Sequence, residues 1–340
     1  MKLYRYILRR LFLIIPVLLG VSIIVFSLNQ ITGDPAAAFI GEKMTPTQIQ
    51  LVKEKYHFDE PPIVQYWYWL QGIMQGDWGW SKVATLSVTD SIMKFFPNTF
   101  QLAVIALLIA VTVGIAAGTR AAIKRNKAFD QLARVFSLVG ISIPLFFFAL
   151  LMQFFFSFYL KILPSGGLLD NSYLAYADIP NGPTRFLLLD TLIVGNFDMF
   201  LNAAQHLILP AMALSLSTIA VVLRMQRNSM LEVLGLDYIK TARAKGLPEK
   251  TVIRKHARKN ALIPTTTVVG LSFGSLLGGA VITETIFFYP GLGLWATQSI
   301  SSADNASILG FCLLVALIFV VVNLIVDILY AYLDPRVRLG

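Results

Sequence analysis

Apolar residues run along this chain in long unbroken blocks instead of alternating with polar ones. Six blocks approach or exceed the roughly 18 residues that a bilayer asks of a helix. They cover approximately Leu11–Leu28, Phe100–Gly118, Val135–Leu160, His206–Leu223, Thr265–Phe288 and Ile308–Leu333. Backbone groups in hydrocarbon have no water to pair with, so each block is expected as a helix. Pro16, Pro144 and Pro210 fall within blocks, where neighbouring helices can satisfy the carbonyls that proline frees. Stretches 29–99 and 161–205 are too long for plain connections. In the first, "MTPTQIQLVKEKYHF" predicts a short helix with Thr45 as cap and Pro46 at its first position. "PPIVQYWYWLQGIMQ" follows, with Tyr66, Trp67, Tyr68 and Trp69 suited to a membrane interface or a docking surface. Pro, Gly and Asp turns leave the form of 161–205 open.

Between the fourth and fifth blocks the pattern changes. Asp237 is a good N-cap and Gly246 a good stop, which predicts a short helix over Tyr238–Lys245. A second helix is expected from Pro248 to about Leu262, ended by Pro264. On it Val252, Ile253, His256, Ala257 and Asn260 share one face, and Lys250, Arg254, Lys255 and Arg258 the other. In the fifth block Gly270, Gly274 and Gly278 recur at i, i+4 and i+8, with Ser275 and Gly279 widening the stripe. Small residues so placed let another helix approach closely, and helix packing is preferred there to direct substrate contact.

The expected architecture is therefore an all-α integral membrane protein of six spans. Its divisions are a tip and first helix (1–30), a structured external insertion (31–99) and a five-helix core (100–340) that contains the polar loop 225–264.

Composition supports this class. The chain is 56 % apolar and only 14 % charged over 340 residues, whereas a soluble domain is about a quarter charged. The net charge of +9 would raise nucleic acid as a partner in a polar chain. Here Lys and Arg instead mark cytoplasmic loops and lipid headgroups. Of 28 basic residues, 21 lie in 1–10, 119–134, 224–264 and the tail. Both termini and the loop 224–264 are thus expected in the cytoplasm, with the bilayer and not nucleic acid as neighbour. "RRLFL" and "AAAF" (36–39) resemble an export signal and its cleavage site, but five further blocks favour a retained first helix. Cys312 reads as a small core residue, and the scattered His57, His206 and His256 offer no protein-only metal site.

Catalytic signatures are missing. There is no G-x-x-x-x-G-K-[ST] to cradle a nucleotide phosphate and no H-E-x-x-H. Any energy the chain uses must then come from a partner or an ion gradient. Asp327, alone well inside a block, is read as structural, through Arg336 or a headgroup cation, before proton relay. Glu284 at the outer end of the fifth block suits a gate or a fold lock. An ion-coupled transporter would want paired intramembrane acids or inverted repeats, and an intramembrane enzyme a nucleophile–base set.

"DYIKTARAKGL" followed by "RKHARKNALIP" resembles the cytoplasmic "EAA" loop of importer permeases of the ATP-binding-cassette class, in the peptide and nickel branch and its B-type subunit. The resemblance extends over nearly the whole chain through "TGDP" (32–35), "TPTQ" (45–48), "FDEPPIVQY" (58–66), "GDWGWS" (76–81), "FPNTFQLA" (96–103), "ETIFFYPGLG" (284–293) and "NLIVDILYAYLDPRVR" (323–338). Lys240 and Thr241 replace the Glu-Ala of the generic loop motif. The resemblance implies a type I importer fold like that of the methionine importer permease. It also implies a similar second permease as heterodimer partner, two cytoplasmic ATPases that hold ATP and Mg, and an external or periplasmic binding protein. This chain itself would bind no cofactor and hydrolyse nothing. Its short helix would be the coupling helix, with Tyr238, Thr241, Ala242, Ala244, Lys245, Gly246, Leu247 and His256 facing the ATPase. Gly270, Gly274, Ser275, Gly278 and Glu284 would serve packing or the pathway. Dipeptides and oligopeptides are the expected substrates, with oligosaccharides or nickel as alternatives.

Overall fold

In the computed structural model residues 3–32, 45–55, 60–174 and 182–333 are described, and helices carry most of them. The chain begins with α1 (Leu3–Thr32), α2 (Pro46–Lys55) and α3 (Pro62–Met74). A two-stranded antiparallel hairpin, β1 (Trp80–Ser81) and β2 (Leu86–Ser87), pairs Trp80 with Ser87 and Ser81 with Leu86. It leads straight into α4 (Val88–Ile123). Then come α5 (Ala128–Ser142), α6 (Leu145–Gln153) with a π-helical turn over Phe154–Tyr159, and the short α7 (Asn171–Leu174) and α8 (Leu187–Ile193). The long α9 (Phe197–Leu234) is followed by α10 (Asp237–Ala244). One turn, α11 (Glu249–Thr251), continues through π-helical Val252–Ala257 into α12 (Arg258–Ile286); α13 (Leu292–Ser301) and α14 (Asn305–Leu333) complete the chain.

Among the described residues, Val88–Ile123, Phe197–Leu234, Glu249–Ile286 and Asn305–Val326 are long and apolar enough to cross a membrane. The α5–α6 pair qualifies as one span bent by 104°, and the apolar part of α1, Phe12–Leu28, is shorter. Helices outrun the apolar blocks because polar end turns keep their backbone bonds; the boundary expected at 99/100 falls inside α4. The readings of "TGDP" beyond Thr32, of His57, of the Asp327 carboxylate and of Arg336 fall outside the described residues and side chains.

α9 forms the centre, with Leu207, Ala211, Leu214, Ala220, Val222 and Leu223 buried along it. Small residues set the spacing of its neighbours. A Cβ on Gly118 of α4 would come within 2.9 Å of the Gln226 Cβ, and one on Gly140 of α5 within 3.0 Å of the Ala220 Cβ. Two ends result. The insertion end gathers α3, the hairpin, α8 and α13; the basic end gathers the α4–α5 turn, α10 and α11.

Two prolines depart from expectation in opposite ways. The third block is not one continuous helix: Ile143 is extended (φ −70°, ψ 125°), and Pro144 starts α6. Proline crowds the residue before it out of helical geometry. The bend lets Ala149 and Met152 reach Leu209, Ala213 and Phe287. Pro264, in contrast, does not end its helix but lies inside α12. Ala261 and Thr265 flank it and are buried, and Thr265 Oγ1 donates to Gln226 Oε1 of α9 at 2.8 Å. Packing on both sides offsets the roughly 3 kcal/mol that an interior proline costs.

Candidate functional site

The basic end is built around α10. Its N-cap is Leu236, not Asp237, which is the first helical residue. The Asp237 carboxylate instead takes Lys240 at 2.9 Å, and its backbone carbonyl accepts from Thr241 Oγ1 at 2.9 Å. The stop follows the sequence reading. Gly246 has φ +73°, its N–H donates to Arg243 O at 2.9 Å, and Leu247 N–H donates to Ala242 O at 3.4 Å. This paired pattern closes a helix through a left-handed residue.

Docking of α10 corrects one expectation. Ala242 is only 7 % exposed and packs with fully buried Ile239 against Ala122, Met230, Val252, Ala257 and Ala261. Its small side chain is needed by this chain's own core, so it does not belong to an outward surface. Tyr238, Thr241, Ala244, Lys245, Gly246 and Leu247 are exposed. The Tyr238 hydroxyl accepts from Asn260 Nδ2 at 2.7 Å, tying α10 to α12. Arg243 donates to both Glu249 oxygens, at 3.0 and 2.7 Å, which holds its guanidinium above its ordinary pKa. His256 is half-buried on the inner side of the π turn, while Lys250, Arg254, Lys255 and Arg258 face out, as the 3.6 period indicated.

The small-residue stripe splits in two. A Cβ on Gly270 would meet Val326, and one on Gly274 would lie 3.2 Å from Phe319. Both neighbours belong to α14 of the same chain, so this half packs internally. Gly278 has open space, and Ser275 is exposed. Gly274 and Gly278 line an apolar cavity of about 490 Å³ with Thr99, Leu277, Cys312 and Val315. A second cavity of about 440 Å³ opens at the insertion end between Asp90, Lys94 and Asn98 of α4 and Arg185 and Leu168 opposite.

Glu284 lies behind Thr99 and Gly293, two residues that line the apolar cavity. It is fully buried and accepts Thr99 Oγ1 at 2.6 Å, Gly293 N–H at 2.6 Å and Leu294 N–H at 3.2 Å. Those amides belong to the first turn of α13, so Glu284 caps that helix from a distance; a carboxylate at a helix N-terminus is well placed electrostatically. A side chain at Gly291 would strike the Glu284 carboxylate and one at Gly293 the Val281 backbone, which explains the glycines in "PGLG". Thr99 Oγ1 also accepts Leu292 N–H at 2.8 Å, and Asn98 Nδ2 donates to Pro290 O at 2.7 Å. Burial, with Glu284 nearby, pushes the Tyr289 phenol above its ordinary pKa. The glutamate is a fold lock of the α12–α13 corner.

Sequence reasoning missed three polar anchors. Asp304 is buried and accepts Ser81 Oγ at 3.0 Å, Val83 N–H at 3.1 Å and Ser307 Oγ at 2.6 Å, pinning the hairpin to the start of α14. His206 meets Gly166 O at 2.8 Å and Asp170 Oδ1 at 3.2 Å. Asp130 is fully buried and pairs with Arg227. No local signal marks their long-range roles, because Ser81 and Val83, Gly166 and Asp170, and Arg227 lie between 36 and 223 residues from the residues they meet. The aromatic run divides as well. Tyr66 and Trp69 pack on Phe26, with Tyr66 Oη 2.7 Å from Ser22 Oγ, while Trp67 and Tyr68 point out.

Residues 110–339 match the family described as "Binding-protein-dependent transport system inner membrane component", and residues 3–103 match its N-terminal companion. The chain is 42 % identical over 338 residues to a "Dipeptide transport system permease protein DppB" of Alkalihalophilus pseudofirmus, covering 98 % of this chain and 99 % of the relative. It is 41 % identical over 325 residues to a "Probable D,D-dipeptide transport system permease protein DdpB" of Escherichia coli, covering 95 % and 94 %. A solved structure of the MetNI methionine ABC transporter in inward-facing form aligns with a TM-score of 0.48 and 15 % identity, over 70 % of this chain and 93 % of that one. This chain belongs to the binding-protein-dependent transport system inner membrane components and is a multi-pass inner-membrane permease subunit of an ATP-binding-cassette importer.

Proposed function

We propose that the chain forms half of the translocation pathway of an importer for dipeptides and short oligopeptides. The observation that carries the substrate class is the 42 % identity to a dipeptide permease over nearly both full lengths. A homologous second permease completes the pathway, a binding protein outside the membrane delivers the peptide, and two ATPases beneath supply ATP hydrolysis and hold its Mg. Both termini and α10 face the cytoplasm, consistent with the bias of Lys and Arg to one end.

α10 is the contact for the ATPase, through Tyr238, Thr241, Ala244, Lys245 and Leu247, which are exposed. Ala242 seats the helix from behind, and Gly246 ends it. When ATP draws the ATPases together, paired α10 helices move with them and the bundle rocks between two states. At the insertion end, Asp90 and Lys94 of α4 line one cavity with Arg185 opposite, and charges of both signs suit the two ends of a zwitterionic peptide.

Uptake into proteoliposomes holding both permeases, the ATPases and the binding protein tests this reading. Labelled dialanine should accumulate only with ATP inside and loaded binding protein outside. Accumulation of nickel or an oligosaccharide in its place would overturn the substrate class. Protection of a Cys at Thr45 from an external impermeant reagent would overturn the orientation.

A further inference from the structure

Two consecutive residues of α9 reach three other helices. Gln226 is fully buried, donates from Nε2 to Thr119 Oγ1 of α4 at 3.2 Å, and accepts from Thr265 Oγ1 of α12 at 2.8 Å. Arg227 donates from Nε and Nη2 to the two Asp130 oxygens of α5, at 2.5 and 3.0 Å. Asp130 also accepts Asn126 N–H at 2.9 Å, which closes the α4–α5 turn onto the same point. Arg134, 3.9 Å away, is the further charge beside it. The helices touch closely here, for a Cβ on Gly118 would lie 3.2 Å from Arg227 N.

Such bonds are directional. Apolar side chains can slide past one another by rotamer changes, whereas a two-pronged guanidinium–carboxylate pair between a partly buried Arg227 and a fully buried Asp130 holds one register. Breaking it by removing one partner leaves an uncompensated charge. One turn farther along α9, Met230 and Val233 enter the cluster that seats Ile239 and Ala242 of α10. Only Gly235 and Leu236 join α9 to α10, and Leu236 N–H still bonds Val233 O at 3.1 Å. There is no slack between hub and short helix.

We propose that Gln226 and Arg227 are positioning residues that make α10 and the basic ends of α4, α5, α9 and α12 one rigid body. Force applied at α10 is thereby delivered to the bundle and not absorbed by local bending. This rests on α10 being the ATPase contact. Without the hub, ATP turnover persists while substrate movement per ATP falls.

The test uses the complete importer in liposomes, with Arg227→Met, Asp130→Asn, and the milder Thr119→Val/Thr265→Val double variant, whose side chains nearly match in shape. Assembly, ATP turnover and dipeptide uptake are measured together. The expected result is intact complexes, ATP turnover within about twofold of wild type, and peptide moved per ATP down about tenfold for Arg227→Met, with Arg227→Lys intermediate. Spin labels at Leu132 of α5 and Lys250 of α11, in a Cys312→Ser background, give a second readout. Their separation should stay the same in each nucleotide state of the wild type and change between states in the variants. Wild-type coupling and a constant separation in the double variant and Arg227→Lys would overturn the hub, whatever the fate of the harsher variants. Failure of α10 substitutions to affect ATPase binding in the wild-type background would instead overturn the α10 reading itself.

Discussion

Two short helices hang between long ones, α10 between α9 and α12 at the basic end, and α13 between α12 and α14 at the insertion end. They are built in opposite ways. α13 is sealed in: Leu292, Gly293, Trp295, Ala296 and Ser299 are buried, and its first turn is capped by a carboxylate from another helix. α10 is presented: only Ile239 and Ala242 are buried, and it stops itself with Gly246. Long-range bonds make α13 part of the wall, while local bonds and two apolar pegs hold α10 out as a handle. The proposed grip of an ATPase on α10 needs a firm root and a free face, which two inward residues in eight provide.

The sharpest way to break this contrast is Glu284→Ala. It strands the Gly293 and Leu294 amides and the Thr99 hydroxyl in a buried corner, at about 1–3 kcal/mol each. We expect the largest loss of thermal stability and of folded yield in detergent, read by fluorescence-detected chromatography, with α10 labelling unchanged in whatever folds. Glu284→Gln, which keeps an acceptor for the amides, should recover part of the loss.

Ala242→Trp comes next. Overfilling the seat of α10 should cost about 1–3 kcal/mol and detach the helix while the spans remain inserted. Faster amide exchange confined to 237–247 would be the signature; exchange spread over α4 and α9 would contradict the peg picture. Gly246→Val forces a β-branched residue into a left-handed position, where even an ordinary side chain costs about 1–2 kcal/mol. The expected outcome is a frayed last turn of α10 and weaker ATPase retention, with insertion-end stability untouched.

The stripe of α12 gives a smaller, internal contrast. Gly274→Leu meets Phe319 and should lower stability by about 1–3 kcal/mol, whereas Gly278→Leu enters open space and should leave folding within about 0.5 kcal/mol. Equal melting temperatures for the two would refute the division of the stripe. Tyr238→Phe, which removes one exposed hydrogen bond to Asn260, should likewise cost no more than about 0.5 kcal/mol, the low end for a single net hydrogen bond.

What the sequence by itself determined was whatever depends on neighbours along the chain. Among the described residues, apolar runs located four helices that can cross a bilayer and the bent α5–α6 pair, since a bilayer asks only for length and apolarity. Gly246 announced its stop because a left-handed residue is a local demand. The ordered motifs announced the family. Tertiary structure decided the rest. Pro144 bends its segment and Pro264 does not, although both remove the same donor; packing of Ala261 and Thr265 on α9 makes the difference. Ala242 looked like part of an open surface and proved to be a peg, because a small residue fits either a partner's groove or its own core. Glu284, Asp304 and the Asp130–Arg227 pair took their roles from groups distant in sequence. A buried carboxylate acquires meaning only from the donors that the fold brings to it.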